Sequence, residues 1–230
     1  MKRVVLISIR PEHACNILNG IKKDELRRIF KVPCWIDQAL IYVTKGKRLL
    51  ELQDCEQRFK LEKDCDTEEL ECSCDILNGK IVASFTIDRV DELQCEFHNQ
   101  DAWKKDSSYE AISLIVRDEE YPEDDYDRYE LASNEEGMTD EDSRNNPFLK
   151  RCCLSFNEVK KYMRKGNDYA ETLFDIRIKD LVIFDKAKEL SEFKQCKEKK
   201  CPYSLRCHGA CHSLVKLTKA PQNYCYIEVE

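Results

Sequence analysis

The spacing of hydrophobic residues changes within the first twenty positions. Residues 3–9 are almost all aliphatic and rich in β-branched side chains, which predicts a first strand. Pro11 suits the first turn of a helix, where its missing N–H leaves no hydrogen bond unmade. Apolar side chains then recur at helical spacing until Gly20, which stands where the left-handed residue after a helix is expected. The pattern therefore predicts a short helix over 11–19.

Further short runs of β-branched and aromatic residues predict a sheet-rich protein. These runs lie at residues 39–44, 80–87, 174–178, 181–184 and 223–229. Between them, Ser155 and Glu158 have the spacing of a capping box and predict the start of another helix. Several strands with few helices predict an α+β fold in which a small β-barrel is flanked by short helices. The sequence has no βαβ alternation, GxGxxG loop or Walker loop, which disfavours folds that bind nucleotide cofactors.

Two polar stretches interrupt this pattern within what we predict to be a single domain over 1–230. Residues 45–78 are charged and are interpreted as a cysteine-containing insertion. Residues 118–146 are predicted to be a second, flexible insertion, because their composition buries little apolar surface. The formal net charge is −7, but residues 118–143 contain thirteen acidic residues and one arginine, which leaves +5 on the remainder. A mildly basic body is compatible with a polyanionic ligand.

The composition favours a protein of the cell interior. Hydrophobic residues make up 42% and charged residues 36% of the 230 positions, and no apolar run approaches the length of a membrane span. The first apolar run is too short for a secretory signal and is followed by no small-residue cleavage site. We therefore expect a cytoplasmic protein, of a cell or a phage-infected cell, with no membrane partner. Its fourteen cysteines are then expected to be reduced thiols and metal ligands rather than disulfides.

Residues 194–214 contain a cluster of metal-ligating residue types. The cluster consists of Cys196, Cys201, Cys207, Cys211, His208 and His212. Four thiols with two imidazoles nearby can supply a closed tetrahedral zinc site, and the basic neighbours favour thiolates. The spacing departs from the usual CxxC pairs, so an iron–sulfur cluster and a metal-free segment stay open as alternatives. We expect a bound zinc to be structural and to fix the segment before the last strand.

The other cysteines form weaker candidates. A second site is conceivable at Cys55, Cys65, Cys72 and Cys74, although a single residue separates the last two. The remaining thiols are expected to be small buried hydrophobic side chains. They are Cys15, Cys34, Cys95, Cys152, Cys153 and Cys225.

The amino-terminal segment resembles the ASCH family, whose signature is GxKxxExR. Gly20, Lys22, Glu25 and Arg27 match that signature. Other segments also resemble ASCH proteins and follow one another in the family order. These segments are residues 8–14, 79–88, 178–186, 190–193 and 217–228. The late segments resemble those of phage and bacterial members. Together the matching pieces cover about half of the chain, so the ordered set is more specific than the motif alone.

The resemblance implies a PUA-like barrel with a ligand cleft between the first helix and the sheet. It also implies binding of RNA or modified nucleosides, the ligands associated with ASCH proteins. One bacterial branch with a similar motif hydrolyses the amide of N4-acetylcytidine, using a lysine and a threonine of the motif with a distant glutamate. The lysine corresponds to Lys22, but the threonine position holds Glu25, so that mechanism does not transfer directly.

The charged residues of the motif have complementary chemistry. On an extended segment Glu25 and Arg27 share a face, and Lys22 comes off the preceding turn. Arg27 can hold a phosphate or carbonyl as a fork, and Glu25 can accept a hydrogen bond from an exocyclic amine. The predicted ligand-binding residues are therefore Arg10, Gly20, Lys22, Glu25 and Arg27. In a hydrolase, Lys22 would be the base or nucleophile and Glu25 would activate water. A surface salt-bridge cluster without a ligand is the third interpretation.

Binding of single-stranded RNA or a modified nucleoside is the leading functional hypothesis, with a regulatory role as one form of it. The runner-up is an amidohydrolase acting on an acylated nucleoside such as N4-acetylcytidine, so the sequence leaves open whether the protein is an enzyme. A third hypothesis is a phage-type interaction protein that uses the acidic segment 118–143 as a nucleic-acid mimic. The ligand and the oligomeric state do not follow from the sequence.

Overall fold

The computed structural model divides the chain into two compact units. It describes residues 2–53, 58–63, 75–99, 110–116, 128–133, 146–165, 168–169, 172–196 and 214–229. The terminal unit comprises Met1–Ile21, Lys31–Asp88 and Ile178–Glu230. The central unit comprises Lys22–Phe30 and Arg89–Arg177. Two long strands, β7 (Ile81–Asn99) and β12 (Thr172–Lys188), contribute residues to both units.

The terminal unit is built mainly from strands. They are β1 (Lys2–Ile9), β3 (Gln38–Val43), β4 (Arg48–Gln53), β5 (Arg58–Lys63), β6 (Asp75–Ile76), β13 (Lys194–Cys196), β14 (Leu214–Lys216) and β15 (Tyr224–Val229). Helix α1 spans Pro11–Leu18, and a short 3₁₀ helix spans Leu190–Glu192. The described helices are few and short, and no described helix is both long enough and apolar enough to cross a membrane.

The central unit combines strands with two short helices. Its strands are β2 (Asp24–Arg27), β8 (Glu110–Val116), β9 (Arg128–Ser133), β10 (Arg164–Lys165) and β11 (Asp168–Tyr169). Helix α2 spans Pro147–Cys152 and helix α3 spans Phe156–Met163. Apolar side chains from these helices, from β2, β7 and β8, and from the start of β12 form the core of this unit. The core residues are Leu26, Leu93, Ile112, Leu114, Phe148, Leu149, Cys152, Phe156, Val159, Met163 and Leu173.

The main sheet is large and mixed. Its strand order is β14-β13-β15-β1-β3-β7-β12-β2, with β8 and β9 branching from β7. The β1–β3 pair is parallel, whereas β1 pairs with β15 and β3 pairs with β7 in antiparallel fashion. The predicted mostly-sheet α+β class is thus confirmed.

The prediction of a small closed barrel is wrong for the described strands, whose order is open. Closure requires the two edge strands to pair in a consistent register. Strand β7 instead runs 19 residues, and its second half, from Leu93 to Asn99, pairs with β8. The sheet therefore branches at β7 instead of closing into a barrel.

Local sequence signals account for α1 and its neighbours. The first strand is buried on both sides, as its continuous aliphatic run predicts. Pro11 occupies the start of α1, and Gly20 follows the helix with a φ of 70°, which L-residues with a side chain adopt at a cost. The predicted helix and its glycine end are confirmed. The predicted capping box is also confirmed, since Ser155 and Glu158 exchange hydrogen bonds at the start of α3.

The described part of the 45–78 insertion forms a small three-stranded sheet with the order β5-β4-β6. This sheet is attached to α1, because the Asn19 side chain donates to the Phe59 carbonyl at 2.9 Å and accepts from the Phe59 N–H at 3.1 Å. Leu50 of β4 and Phe59 of β5 are both buried. The four cysteines predicted as a second metal site lie outside the described residues.

The acidic insertion 118–146 is described only in part. Residues 128–133 form β9, which pairs with β8 over six register positions. The flexibility of the insertion stays a prediction. The alternation in Arg128–Ser133, with Tyr129 and Leu131 two residues apart, is typical of a strand and outweighs the acidic composition around it. The remainder of that insertion, apart from its last residue, lies outside the described residues.

Candidate functional site

The central unit positions the ASCH-like motif through the antiparallel pairing of β2 with β12. Asp24 lies opposite Arg177, and Leu26 lies opposite Asp175. Directly opposite residues in such a pair project to the same face of the sheet, and the face alternates along the strand. Asp24 and Asp175 therefore share one face with the core residue Leu26. Glu25 and Arg27 project to the other face.

Glu25 is held between two cations. Its Oε1 lies 2.9 Å from Nη2 of Arg27, and its Oε2 lies 3.5 Å from Nζ of Lys22. The exposed fractions of these three residues are 5%, 8% and 2% in the order Glu25, Arg27, Lys22. The convergence predicted for these side chains is therefore found, but in a buried setting rather than as a surface salt-bridge cluster.

Lys22 also caps the end of α2. Its Nζ donates to the carbonyl of Cys152 at 2.6 Å, and the backbone N–H of Lys23 donates to the carbonyl of Arg151 at 2.8 Å. A cation is stabilised at a helix carboxyl end, where the last carbonyls have no partner within the helix. Cys153 adopts a left-handed φ of 50° and ends the helix there. The two contacts hold the carboxyl end of α2 against the start of β2.

Asp24, Cys152 and Asp175 form a second buried cluster in the same unit. One potential ligand atom from each residue lies within 4.8 Å of the others, and all three side chains are buried. Two arginines approach this acidic cluster. Nε of Arg151 lies 2.5 Å from Oδ2 of Asp24, and Nε of Arg177 lies 3.8 Å from Oδ1 of the same carboxylate. Nη2 of Arg151 lies 4.0 Å from Oδ2 of Asp175.

Burial perturbs the titration of this acidic cluster. Desolvation, with the nearby charge of Asp24 as the next contribution, raises the pKa of Asp175 to about 7, while the guanidinium of Arg151 opposes the shift. Desolvation likewise raises the pKa of the Cys152 thiol well above its usual value. Up to about pH 7, Asp175 therefore holds a proton that an exposed carboxyl would release.

Arg10 and Gly20, the other two predicted ligand residues, belong to the terminal unit. Arg10 is exposed and occupies the N-cap position of α1. Gly20 supplies the left-handed turn after the same helix.

The predicted carboxyl-terminal metal site falls almost entirely outside the described residues. Cys196 ends β13, and the structure describes its backbone only. The other candidate ligands, Cys201, Cys207, Cys211, His208 and His212, lie outside the described residues. The structural zinc therefore stays a prediction from the sequence.

Sequence reasoning missed the acidic cluster. Asp24 occupies an unspecified position of the motif. Cys152 is predicted only to be a small buried hydrophobic side chain, and its complete burial confirms that prediction. Asp175 and Arg177 alternate with apolar residues at the start of β12, which is the pattern of a half-exposed strand, so no local signal marks Asp175 as buried. The prediction of burial is wrong for Cys34, which is exposed in the turn that precedes β3.

Comparison of the chain with protein-family models, with curated proteins and with solved structures finds no match.

Proposed function

We propose that the chain is an ASCH-type protein that binds single-stranded RNA or a modified nucleoside through Lys22, Glu25 and Arg27. The observation that carries the proposal is the carboxylate of Glu25, held between a guanidinium at 2.9 Å and an ammonium at 3.5 Å. An acceptor flanked by donors matches the edge of a base, where an exocyclic amine lies beside a carbonyl or ring nitrogen.

The burial of these charges supports a functional role. Removing an ion from water costs several kcal/mol even when it is paired, and surface ion pairs avoid that cost. All three residues of this ion cluster are at least nine-tenths buried.

The accessibility of the cluster restricts the type of ligand. The side chain of Arg27 is 10% exposed, and that of Lys22 is 2% exposed. A ligand group that reaches side chains this deeply placed must be narrow, and the edge of an unpaired base is narrower than the backbone of a duplex. Sequence-specific recognition of RNA generally uses such splayed, single-stranded bases. The proposal is accordingly for a single-stranded or nucleoside ligand.

The contacts of Lys22 favour recognition over hydrolysis. A nucleophilic or basic lysine needs a nitrogen lone pair that is free to react. Nζ of Lys22 lies 2.6 Å from the Cys152 carbonyl oxygen, where it must act as a donor, and it also faces the Glu25 carboxylate. Glu25 in turn already faces two cations. We therefore rank the amidohydrolase below the binding protein.

Fluorescence anisotropy with labelled single-stranded RNA tests the proposal, using wild type, Lys22→Ala and Arg27→Ala. Each substitution should weaken binding at least about tenfold, which corresponds to about 1.4 kcal/mol. Lys161→Ala, which removes an exposed cation from α3 of the same unit, is the matched control and should change affinity only slightly. Equal affinities across the set, or the lack of any salt-dependent binding by wild type, would refute the proposal.

A parallel incubation with N4-acetylcytidine distinguishes the runner-up. Release of acetate that depends on Lys22 would replace binding by hydrolysis as the function of this site. Unchanged N4-acetylcytidine that competes with labelled RNA would support recognition.

A further inference from the structure

We propose that Asp24, Cys152 and Asp175 bind one divalent, zinc-type cation in the central unit. This site is distinct from the carboxyl-terminal cysteine cluster and from the ion cluster of Lys22, Glu25 and Arg27. The inference does not depend on RNA or nucleoside binding.

The two carboxylates are oriented alike. In each, Oδ2 is the oxygen nearest to Arg151, at 2.5 Å for Asp24 and 4.0 Å for Asp175. The Oδ1 atoms of both are buried and accept no hydrogen bond from the part of the chain that the structure describes. An unsatisfied buried oxygen of a charged group costs on the order of 1–3 kcal/mol or more. Oδ1 of Asp24 has only a loose ion pair with Arg177, at 3.8 Å, so both oxygens are open to a bound cation.

The donor set suits zinc. Zinc combines thiolate and carboxylate ligands at about 2.3 Å and 2.0–2.2 Å, and three protein ligands leave a fourth position for water or another ligand. Tetrahedral ligands at those distances lie roughly 3.3–3.8 Å from one another. The present atoms lie within 4.8 Å, so a shift of about 1 Å in the side chains completes the geometry. The thiol of Cys152 would lose its proton on binding, as a zinc-bound cysteine does.

The arginines have separate roles in this arrangement. Arg151 holds Oδ2 of Asp24 and leaves Oδ1 for the ion, which is how outer groups orient a ligating carboxylate. Arg177 competes with the ion, since its Nε is 3.8 Å from Oδ1 of Asp24. Its side chain is 32% exposed and has room to move toward solvent. Binding of the cation thus exchanges a loose ion pair for direct coordination.

Cobalt(II) titration of the reduced 230-residue protein tests the site, because a cobalt–thiolate bond gives a near-ultraviolet charge-transfer band. Cys152→Ser and Asp175→Asn should each lower the bound cobalt by one equivalent relative to wild type. Other thiol sites in the chain contribute equally to all variants and cancel in this difference. Cys95→Ser is the matched control, since Cys95 is a partly buried thiol that packs against the same core outside the acidic cluster.

The cobalt titration distinguishes a bound cation from a shared proton as the occupant of the acidic cluster. Equal cobalt content in wild type and in either cluster variant would overturn the proposal and leave a proton as the occupant of the acidic cluster. Asp175→Asn replaces a carboxyl by a neutral group of the same shape. It therefore keeps the test decisive if Cys152→Ser fails to fold. Thermal unfolding of each variant in chelator verifies that the compared proteins are folded.

Discussion

The guanidinium of Arg27 lies 2.9 Å from the carboxylate of Glu25, and their side chains are only 10% and 7% exposed. The two residues are separated by one position on β2, so the strand itself brings them to the same face. A buried ion pair is stabilising only while both partners are present, because a single remaining charge keeps its desolvation cost. A substitution that removes one charge of the ion cluster should therefore lower the stability of the protein strongly.

Glu25→Ala should destabilise the protein by about 3–5 kcal/mol, because it leaves Lys22 and Arg27 buried without their shared counter-charge. Urea denaturation measures the change in the free energy of unfolding. The control is Lys179→Ala, which removes an exposed ion pair with Asp88 and should cost no more than about 1 kcal/mol. A loss for Glu25→Ala as small as that of the control would contradict the account of the ion cluster.

The acidic cluster should make stability depend on pH. The pKa of Asp175 is raised to about 7 by burial and by Asp24, whereas the unfolded chain releases this proton near pH 4. Between those values the folded state holds a proton that unfolding releases, so stability falls as pH rises. The slope from this group is at most about 1.4 kcal/mol per pH unit, and it disappears above about pH 7.

Asp175→Asn should remove this slope. In chelator, its unfolding free energy should fall less than that of wild type between about pH 4 and pH 7, and the difference should be constant at higher pH. Denaturation midpoints across that range provide the measurement. Parallel pH profiles for the two proteins would show that Asp175 does not titrate in the predicted window.

Asn19→Ala should loosen the small three-stranded sheet of the terminal unit. The substitution removes both hydrogen bonds to the Phe59 backbone, each worth about 1 kcal/mol net, so we expect a loss of roughly 2 kcal/mol. Hydrogen exchange at the amide of Phe59 should be faster in Asn19→Ala than in wild type. Asn16→Ala, a change in the same helix away from this pairing, should leave that amide protected. Equal protection in both variants would argue against the attachment.

The elements that sequence predicted well are those governed by nearby residues. The glycine end of α1 and the capping box of α3 depend on backbone groups within four positions, so their residue types are informative alone. The strands at the two ends of the chain are short and rich in β-branched or aromatic residues, a composition that favours a strand over a helix. The approach of Lys22, Glu25 and Arg27 follows from their spacing on a turn and a strand.

The remaining features depend on distant parts of the chain. Cys152 meets Asp24 and Asp175 because β2 pairs with β12 and α2 ends at β2, and no local pattern encodes either contact. The branching of the sheet depends on how far β7 extends and which strand its second half selects. Charged residues such as Asp91 and Glu92 in the middle of that strand obscured its length from the sequence.

The affinity of Arg27→Lys for single-stranded RNA, measured by anisotropy at fixed ionic strength, tests the central claim most directly. Lysine keeps the positive charge beside Glu25, so the ion cluster stays neutralised, but it lacks the planar fork that recognises a base or phosphate. We predict a fold that is retained by circular dichroism and an affinity at least about tenfold weaker than that of wild type. An affinity equal to that of wild type would show that the guanidinium of Arg27 does not contact the ligand, and would contradict the proposed site.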